Sequence, residues 1–263
     1  MRYTNIFEKR GVFVPFVMLG DPSYEVSFEI IKTLIDAGVD ALELGFAFSE
    51  PMADGPTIQA SHLRALKSGV NMRANFALLE RVRAYAPNIP IGLLLYANLV
   101  HHFGVDHFYR ACAQSGVDSV LVADVPLAES APFVQSANQH HIAPIFIAAP
   151  HTNPVHLRQI ATQSLAYVYV LARAGVTGAS QTLGQEAREV IAHLKELASL
   201  PCLLGFGISQ PSHIQEALAL GADGVICGSA IVKIIEEGLK DSSWMLKNLR
   251  GFVENMRMGL CYN

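Results

Sequence analysis

Two carboxylates close together are the residues of this chain best suited to acid–base chemistry. Glu43 stands inside the apolar run Leu42-Glu43-Leu44-Gly45, and Asp54 follows in a loop, between Ala53 and Gly55-Pro56. An acid in a strand buried on both faces costs several kcal/mol of desolvation unless it is paired, protonated or used. A desolvated carboxyl can carry protons in both directions. A carboxylate on a glycine-flanked loop can instead stabilise positive charge. Glycine turns form a second chemical feature: Phe206-Gly207-Ile208-Ser209, and Gly228-Ser229-Ala230 running into a helix. Their backbone N–H groups can approach an anion, which the helix dipole also favours. Gly205-Phe206-Gly207 is not a dinucleotide fingerprint, because Gln210 occupies the third glycine's place. A small, polar, glycine-hinged stretch over 172–184 has the size of a lid.

The elements that must hold these residues alternate in type. Short β-rich runs are expected at 12–19, 41–45, 90–96, 119–123, 144–147, 166–171, 202–206 and 224–227. Helical spacing fills the intervals at 23–37, 57–66, 74–85, 106–114, 129–139, 154–163, 185–198 and 211–220, and 230–237 and 243–258 close the chain as helices. A weak internal echo runs through Gly38-Val39-Asp40, Gly116-Val117-Asp118 and Gly221-Ala222-Asp223. In each, a glycine ends a helix and a polar residue turns the chain into a strand. Strand–helix alternation implies a parallel sheet. Eight such units with no linker predict one α/β domain over 1–263, a (β/α)8 TIM barrel with extra short helices.

In such a barrel the chemistry lies at the C-terminal ends of the strands. Strand alternation turns Leu42 and Leu44 to the helices and Glu43 to the interior. The same parity puts Phe16, Leu94, Tyr96, Leu121, Ala123, Ile147, Tyr169, Phe206 and Ile226 near the upper interior, an apolar pocket for a flat aromatic ligand. The two glycine turns follow the seventh and eighth strands, where barrels of this kind commonly bind phosphate. The alternative use for Glu43, a salt bridge to a barrel arginine, finds only Arg173 near the end of a strand.

Composition excludes other classes. The 263 residues are 51% hydrophobic and 16% charged with a net charge of −4, which offers nothing to nucleic acid or an anionic membrane. The four cysteines are widely spaced with no C-x-x-C, so they read as buried thiols of a reducing compartment. No run approaches the roughly 18 apolar residues of a membrane span, and 11–19 lacks a cleavage site. A soluble cytoplasmic protein is expected. His101-His102 and His140-His141 are adjacent pairs and do not make a metal site.

The combination of Leu42-Glu43-Leu44-Gly45, Phe48-Ser49, Ala53-Asp54-Gly55-Pro56-Thr57-Ile58-Gln59, Tyr96-Ala97-Asn98, Arg173-Ala174-Gly175-Val176-Thr177-Gly178, Gly205-Phe206-Gly207-Ile208-Ser209 and Gly228-Ser229-Ala230-Ile231-Val232 resembles the α subunit of tryptophan synthase over nearly the whole chain. The resemblance implies retro-aldol cleavage of indole-3-glycerol phosphate to indole and glyceraldehyde 3-phosphate, with no cofactor or metal of its own. It implies a pyridoxal-phosphate-dependent β subunit as partner in an α2β2 assembly. It makes Glu43 and Asp54 the catalytic acids, and Phe16, Leu94, Tyr169 and Ile226 the indole pocket. Gly178, Gly207, Gly228 and Ser229 become the phosphate cradle, and Thr177 a lid residue that bonds Asp54 on closure.

Against that pattern, Phe46-Ala47, Glu50, Cys227 and the Ser180-Gln181-Thr182 end of the lid depart from the usual residues. His101-His102 are expected on a loop, the N-terminus is expected to be too short for a leading helix, and both catalytic loops are expected to open easily. Two rival readings are an isomerase of the same barrel class, which would need a second inward acid or lysine, and a non-catalytic subunit that only activates its partner.

Overall fold

The computed structural model describes residues 2–8, 11–172, 185–205 and 207–260. In chain order its elements are α1 (Arg2–Ile6), β1 (Phe13–Met18), α2 (Tyr24–Asp36), β2 (Leu42–Gly45), α3 (Pro56–Lys67), α4 (Met72–Tyr85), β3 (Ile91–Leu95), α5 (Ala97–Phe103), α6 (Val105–Gln114) and β4 (Ser119–Val122). There follow a 3-10 turn (Leu127–Glu129), α7 (Ala131–Gln139), β5 (Ala143–Pro144), β6 (Ile147–Ala148), α8 (Pro154–Gln163), β7 (Val168–Leu171), α9 (Gln185–Leu197), β8 (Cys202–Gly205), α10 (Pro211–Ala219), β9 (Gly224–Cys227), α11 (Ser229–Glu237) and α12 (Ser242–Met258).

All strand pairs are parallel, in the order β5-β4-β3-β2-β1-β9-β8-β7-β6. The two ends of that order are neighbours in sequence, so the sheet closes on itself. The strand expected at 144–147 is therefore split. Pro144 has no N–H to give, but its carbonyl accepts from Leu165 at 3.2 Å on one side. Ile145 N–H reaches Val120 on the other side at 3.0 Å, and Phe146 carbonyl accepts from Tyr169 at 3.0 Å. The run serves β4 and β7 on alternate residues, which is what closure of an eight-strand barrel requires.

Alternation sorts the side chains into two packed layers. Phe13, Val17, Leu42, Leu44, Leu93, Val120, Val168, Val170, Leu204 and Val225 join the helices in the outer core. Val14, Phe16, Leu121, Tyr167, Tyr169, Leu203 and Ile226 fill the barrel. The internal echo acquires a physical meaning at the N-terminal rim. Gly38, Gly116 and Gly221 all have positive φ (89°, 75° and 98°). Each aspartate that follows then accepts the first N–H of a neighbouring strand: Asp40 from Phe13, Asp118 from Ile91 and Asp223 from Cys202, all at 2.8–2.9 Å.

Two expectations are corrected. A leading helix is present, and its Tyr3 is buried in the barrel floor, because the interior there would otherwise be open. His101 and His102 lie on the helix α5, where the His101 ring packs edge-on against Phe133 at 5.1 Å. Phe46 is 1% exposed and meets Phe76 and Phe108 edge-to-face, so this departure anchors the loop after β2 in the outer core. Among the described residues no helix is long and apolar enough to cross a membrane.

Candidate active site

The second residue of β2 is Glu43, flanked in register by Phe16 of β1 and Gly92 of β3. Its side chain points inward and is 2% exposed. Tyr167 donates its hydroxyl to Glu43 Oε1 at 3.4 Å, and among the described residues no basic group pairs with it. Arg173, the candidate partner, lies outside those residues. Burial raises the Glu43 carboxyl strongly, the Tyr167 bond lowers it, and the charge of Asp54 raises it again, to about 8. Below it Tyr3 stacks at a tilt on Tyr167, 5.5 Å between rings, and shares a 2.9 Å hydrogen bond with Ser119. Burial pushes both tyrosine hydroxyls up, so they remain neutral donors.

Asp54 sits at the mouth, on the loop that runs from β2 into α3. Tyr96 donates its hydroxyl to Asp54 Oδ2 at 2.7 Å, and His62 Nε2 lies 3.1 Å from the same oxygen. The Tyr96 hydroxyl in turn accepts from Ala53 N–H at 3.1 Å, and Phe48 stacks on the Tyr96 ring at 5.1 Å. His62 Nδ1 accepts the N–H of Phe48 at 2.9 Å. Hydrogen bonds thus hold the start of this loop at Phe48 and its end at Ala53 and Asp54.

The interior between the acids is apolar. Phe16, Leu121, Tyr169 and Ile226 are buried in the barrel cluster, with Leu94, Ala123 and Ile147 packed against it at partial exposure. Two glycines make this possible. A Cβ on Gly205 would stand 2.1 Å from the Tyr169 hydroxyl, and one on Gly45 would stand 2.8 Å from Phe16 Cζ.

The anion turns emerge side by side from β8 and β9, which pair in register. Gly207 has a φ of 78°, which glycine alone adopts at no steric cost. Gly228 is the N-cap of α11 and Ser229 its first residue. Cys227 donates its thiol to the Ile208 carbonyl at 3.1 Å and so joins the two turns. Burial pushes that thiol up to about 12, so it is structural. His213 Nδ1 accepts the N–H of Ser209 at 3.2 Å and braces the first turn from α10. A Cβ on Gly228 would lie 3.6 Å from Phe16, which places this turn against the ring pocket. Thr177, Gly178 and Phe206, also expected at the site, lie outside the described residues.

Sequence reasoning missed Tyr167, His62 and His213. Tyr167 shares the inward parity of Tyr169, so alternation could have found it. His62 shares the buried face of α3 with Ile58, Ser61 and Ala65, but helical spacing does not reveal what its ring touches.

A carboxyl held largely protonated at neutral pH, in an apolar slot leading to two amide turns, points to a class. It is that of (β/α)8-barrel enzymes moving protons on a flat phosphorylated substrate. Comparison with known proteins narrows the class. The sequence profile of the family described as Tryptophan synthase alpha chain matches residues 4–260. The tryptophan synthase alpha chain of Helicobacter pylori (strain HPAG1) is 58% identical over 261 residues, covering 97% of this chain and 99% of that protein. That of Salmonella paratyphi B is 53% identical over 261 residues, 97% of each. Mycobacterium tuberculosis tryptophan synthase superposes with a TM-score of 0.90 at 28% identity, over 100% of this chain and 99% of that one. The tryptophan synthase α2β2 complex from Pyrococcus furiosus gives 0.86 at 35% identity, over 94% and 98%. The chain belongs to the tryptophan synthase alpha chain family. It is a carbon–carbon lyase that cleaves indole-3-glycerol phosphate to indole and glyceraldehyde 3-phosphate, with no cofactor of its own.

Proposed function

We propose that Glu43 and Asp54 carry this cleavage and divide it between them. Glu43, with a carboxyl at about 8, begins protonated at neutral pH and gives its proton to carbon 3 of the indole ring. That makes an indolenine, whose ring nitrogen becomes electron-poor. Asp54 faces this nitrogen from the mouth and stabilises the charge that develops there. The Glu43 carboxylate then takes the proton of the side-chain hydroxyl, the carbon–carbon bond breaks, and its electron pair returns to the ring. One proton enters at carbon 3 and one leaves the hydroxyl, so Glu43 ends protonated and ready for the next turnover. Phe16, Leu94, Leu121, Ala123, Ile147, Tyr169, Phe206 and Ile226 enclose the ring, with Tyr96 holding Asp54 over it. Gly178, Gly207, Gly228 and Ser229 hold the phosphate, and Thr177 meets Asp54 when substrate is bound.

The observation that carries this reading is the burial of Glu43 with a hydroxyl as its partner and no described cation beside it. The catalytic unit is the single barrel over 1–263, a reading supported by the membership of every described strand in one sheet. The chain works in the cytoplasm in an α2β2 assembly with a β subunit that holds pyridoxal phosphate and receives the indole. Support comes from the three free, buried cysteines among the described residues and from relatives solved as such complexes. Indole release from indole-3-glycerol phosphate, followed with and without added β subunit, tests the reading. The expected result is slow release by the chain alone and faster release in the complex. No release in either state refutes it.

A further inference from the structure

The mouth of the barrel contains a buried titratable side chain that the mechanism above does not use. His62 is 3% exposed on the inner face of α3. Its two ring nitrogens have different partners, and together these determine its state. Nδ1 lies 2.9 Å from the backbone nitrogen of Phe48, a group that can only donate. Nδ1 is therefore bare, and the neutral ring carries its proton on Nε2. Nε2 lies 3.1 Å from Asp54 Oδ2 and so donates to it. We propose that His62 is a positioning residue for Asp54, tying the carboxylate through its Nε2–H to the helix α3. The proposal rests on the reading of Asp54 as the group that faces the ring nitrogen.

The contacts around His62 explain what this achieves. Tyr96 donates to the same Oδ2 at 2.7 Å. Among the described residues no hydrogen bond falls on Oδ1, so the two donors turn that oxygen away from themselves. A carboxylate held by one donor can still swing about it, whereas two donors on one oxygen fix its plane. The ring of His62 stands edge-on to Tyr96 at 6.1 Å, and Phe48 stacks on the Tyr96 ring at 5.1 Å. The loop's first residues and its carboxylate thus share one small aromatic frame.

The helix that carries His62 is itself immobilised. Arg64 makes a two-pronged pair with the buried Asp21 at 2.8 and 2.7 Å, and Ser61 donates to Asp21 at 2.6 Å. Asp21 belongs to the turn after β1, so α3 is referenced to the barrel wall rather than to the loop. His62 transfers that reference to Asp54. Phenylalanine at 62 keeps the ring and removes both nitrogens. Glutamine loses the acceptor for Phe48, but its amide nitrogen reaches about where Nε2 stands and can donate to Asp54.

The test measures kcat and KM for indole release by the full chain with its β subunit, for wild type, His62→Phe and His62→Gln. Circular dichroism and urea unfolding check the fold of each. The expected result is a fall in kcat of about tenfold or more for His62→Phe with KM changed less than about threefold, and recovery of most of the loss in His62→Gln. A His62→Phe chain with kcat within about fivefold of wild type overturns the proposal. So does a glutamine variant as slow as the phenylalanine one, or a loss carried by KM. If His62→Phe does not fold, the wild type decides. Its long-range proton–nitrogen NMR spectrum must show His62 protonated on Nε2 and bare on Nδ1, with the Nε2 signal moved by Asp54→Asn. The opposite tautomer, or no response to Asp54→Asn, overturns it. Wild type that releases no indole at all refutes the function itself, and the NMR result still reports whether His62 holds Asp54.

Discussion

Replacing Glu43 by glutamine should make this protein more stable while removing its activity, and the gain should depend on pH in a defined direction. The folded carboxyl stands at about 8, against 4.5 for an ordinary exposed glutamate. The folded state therefore binds more protons than the unfolded one between those values, and stability falls as pH rises through that window. Below pH 4.5 both states are protonated and Glu43 costs nothing; above pH 8 the cost is complete. Linkage puts it at ~1 kcal/mol at pH 5, ~3 at pH 7 and ~5 at pH 9. Glutamine fits the same space and its amide oxygen can still accept from Tyr167, so most of this should be recovered. Urea unfolding of both proteins by circular dichroism at several pH values from 5 to 9 measures the difference. Indole formation by the variant should fall below about a tenth of wild type, a barrier change above ~1.4 kcal/mol. A stability difference that is flat with pH, or one that shrinks as pH rises, would refute the burial argument. A variant that kept its kcat would remove the proton-transfer role.

Three further outcomes follow from the geometry. The kcat/KM of the wild type should decline above a pH of about 8, because free enzyme that has lost the Glu43 proton cannot protonate the ring; a profile level to pH 9.5 would contradict this. Inorganic phosphate should shift the amide NMR signals of Gly207, Gly228 and Ser229, and shifts confined to other residues would count against the cradle. Gly205→Ala should destabilise the chain by about 1–3 kcal/mol in urea, because its Cβ would collide with the Tyr169 hydroxyl. It should also raise KM by pushing that ring into the pocket, so an unchanged KM would mean Tyr169 does not border the substrate.

The readable parts of this protein were those set by local period. Leu42-Glu43-Leu44 alternates, and in a strand buried on both faces alternation alone turns the acid inward, where the structure has it. The glycine–aspartate echo was legible as helix ends because positive φ is a local demand. What those aspartates do was not, since each bonds a strand that precedes it by a whole helix or more. The same limit explains the other omissions. Tyr167 reaches Glu43 across 124 residues, and Tyr3 reaches Ser119 across 116. The leading helix is short and weakly patterned, and it forms because the barrel floor accepts Tyr3. The split at Pro144 arises because one run must bond two strands on alternate residues to close the barrel. By itself the sequence determined the strand runs, the helices other than α1 and α5, the inward acid and the glycine turns, all consequences of local backbone geometry. Only the closed tertiary structure decided which groups meet Glu43 and Asp54, because closure brings together side chains from distant strands whose spacing in the chain carries no period.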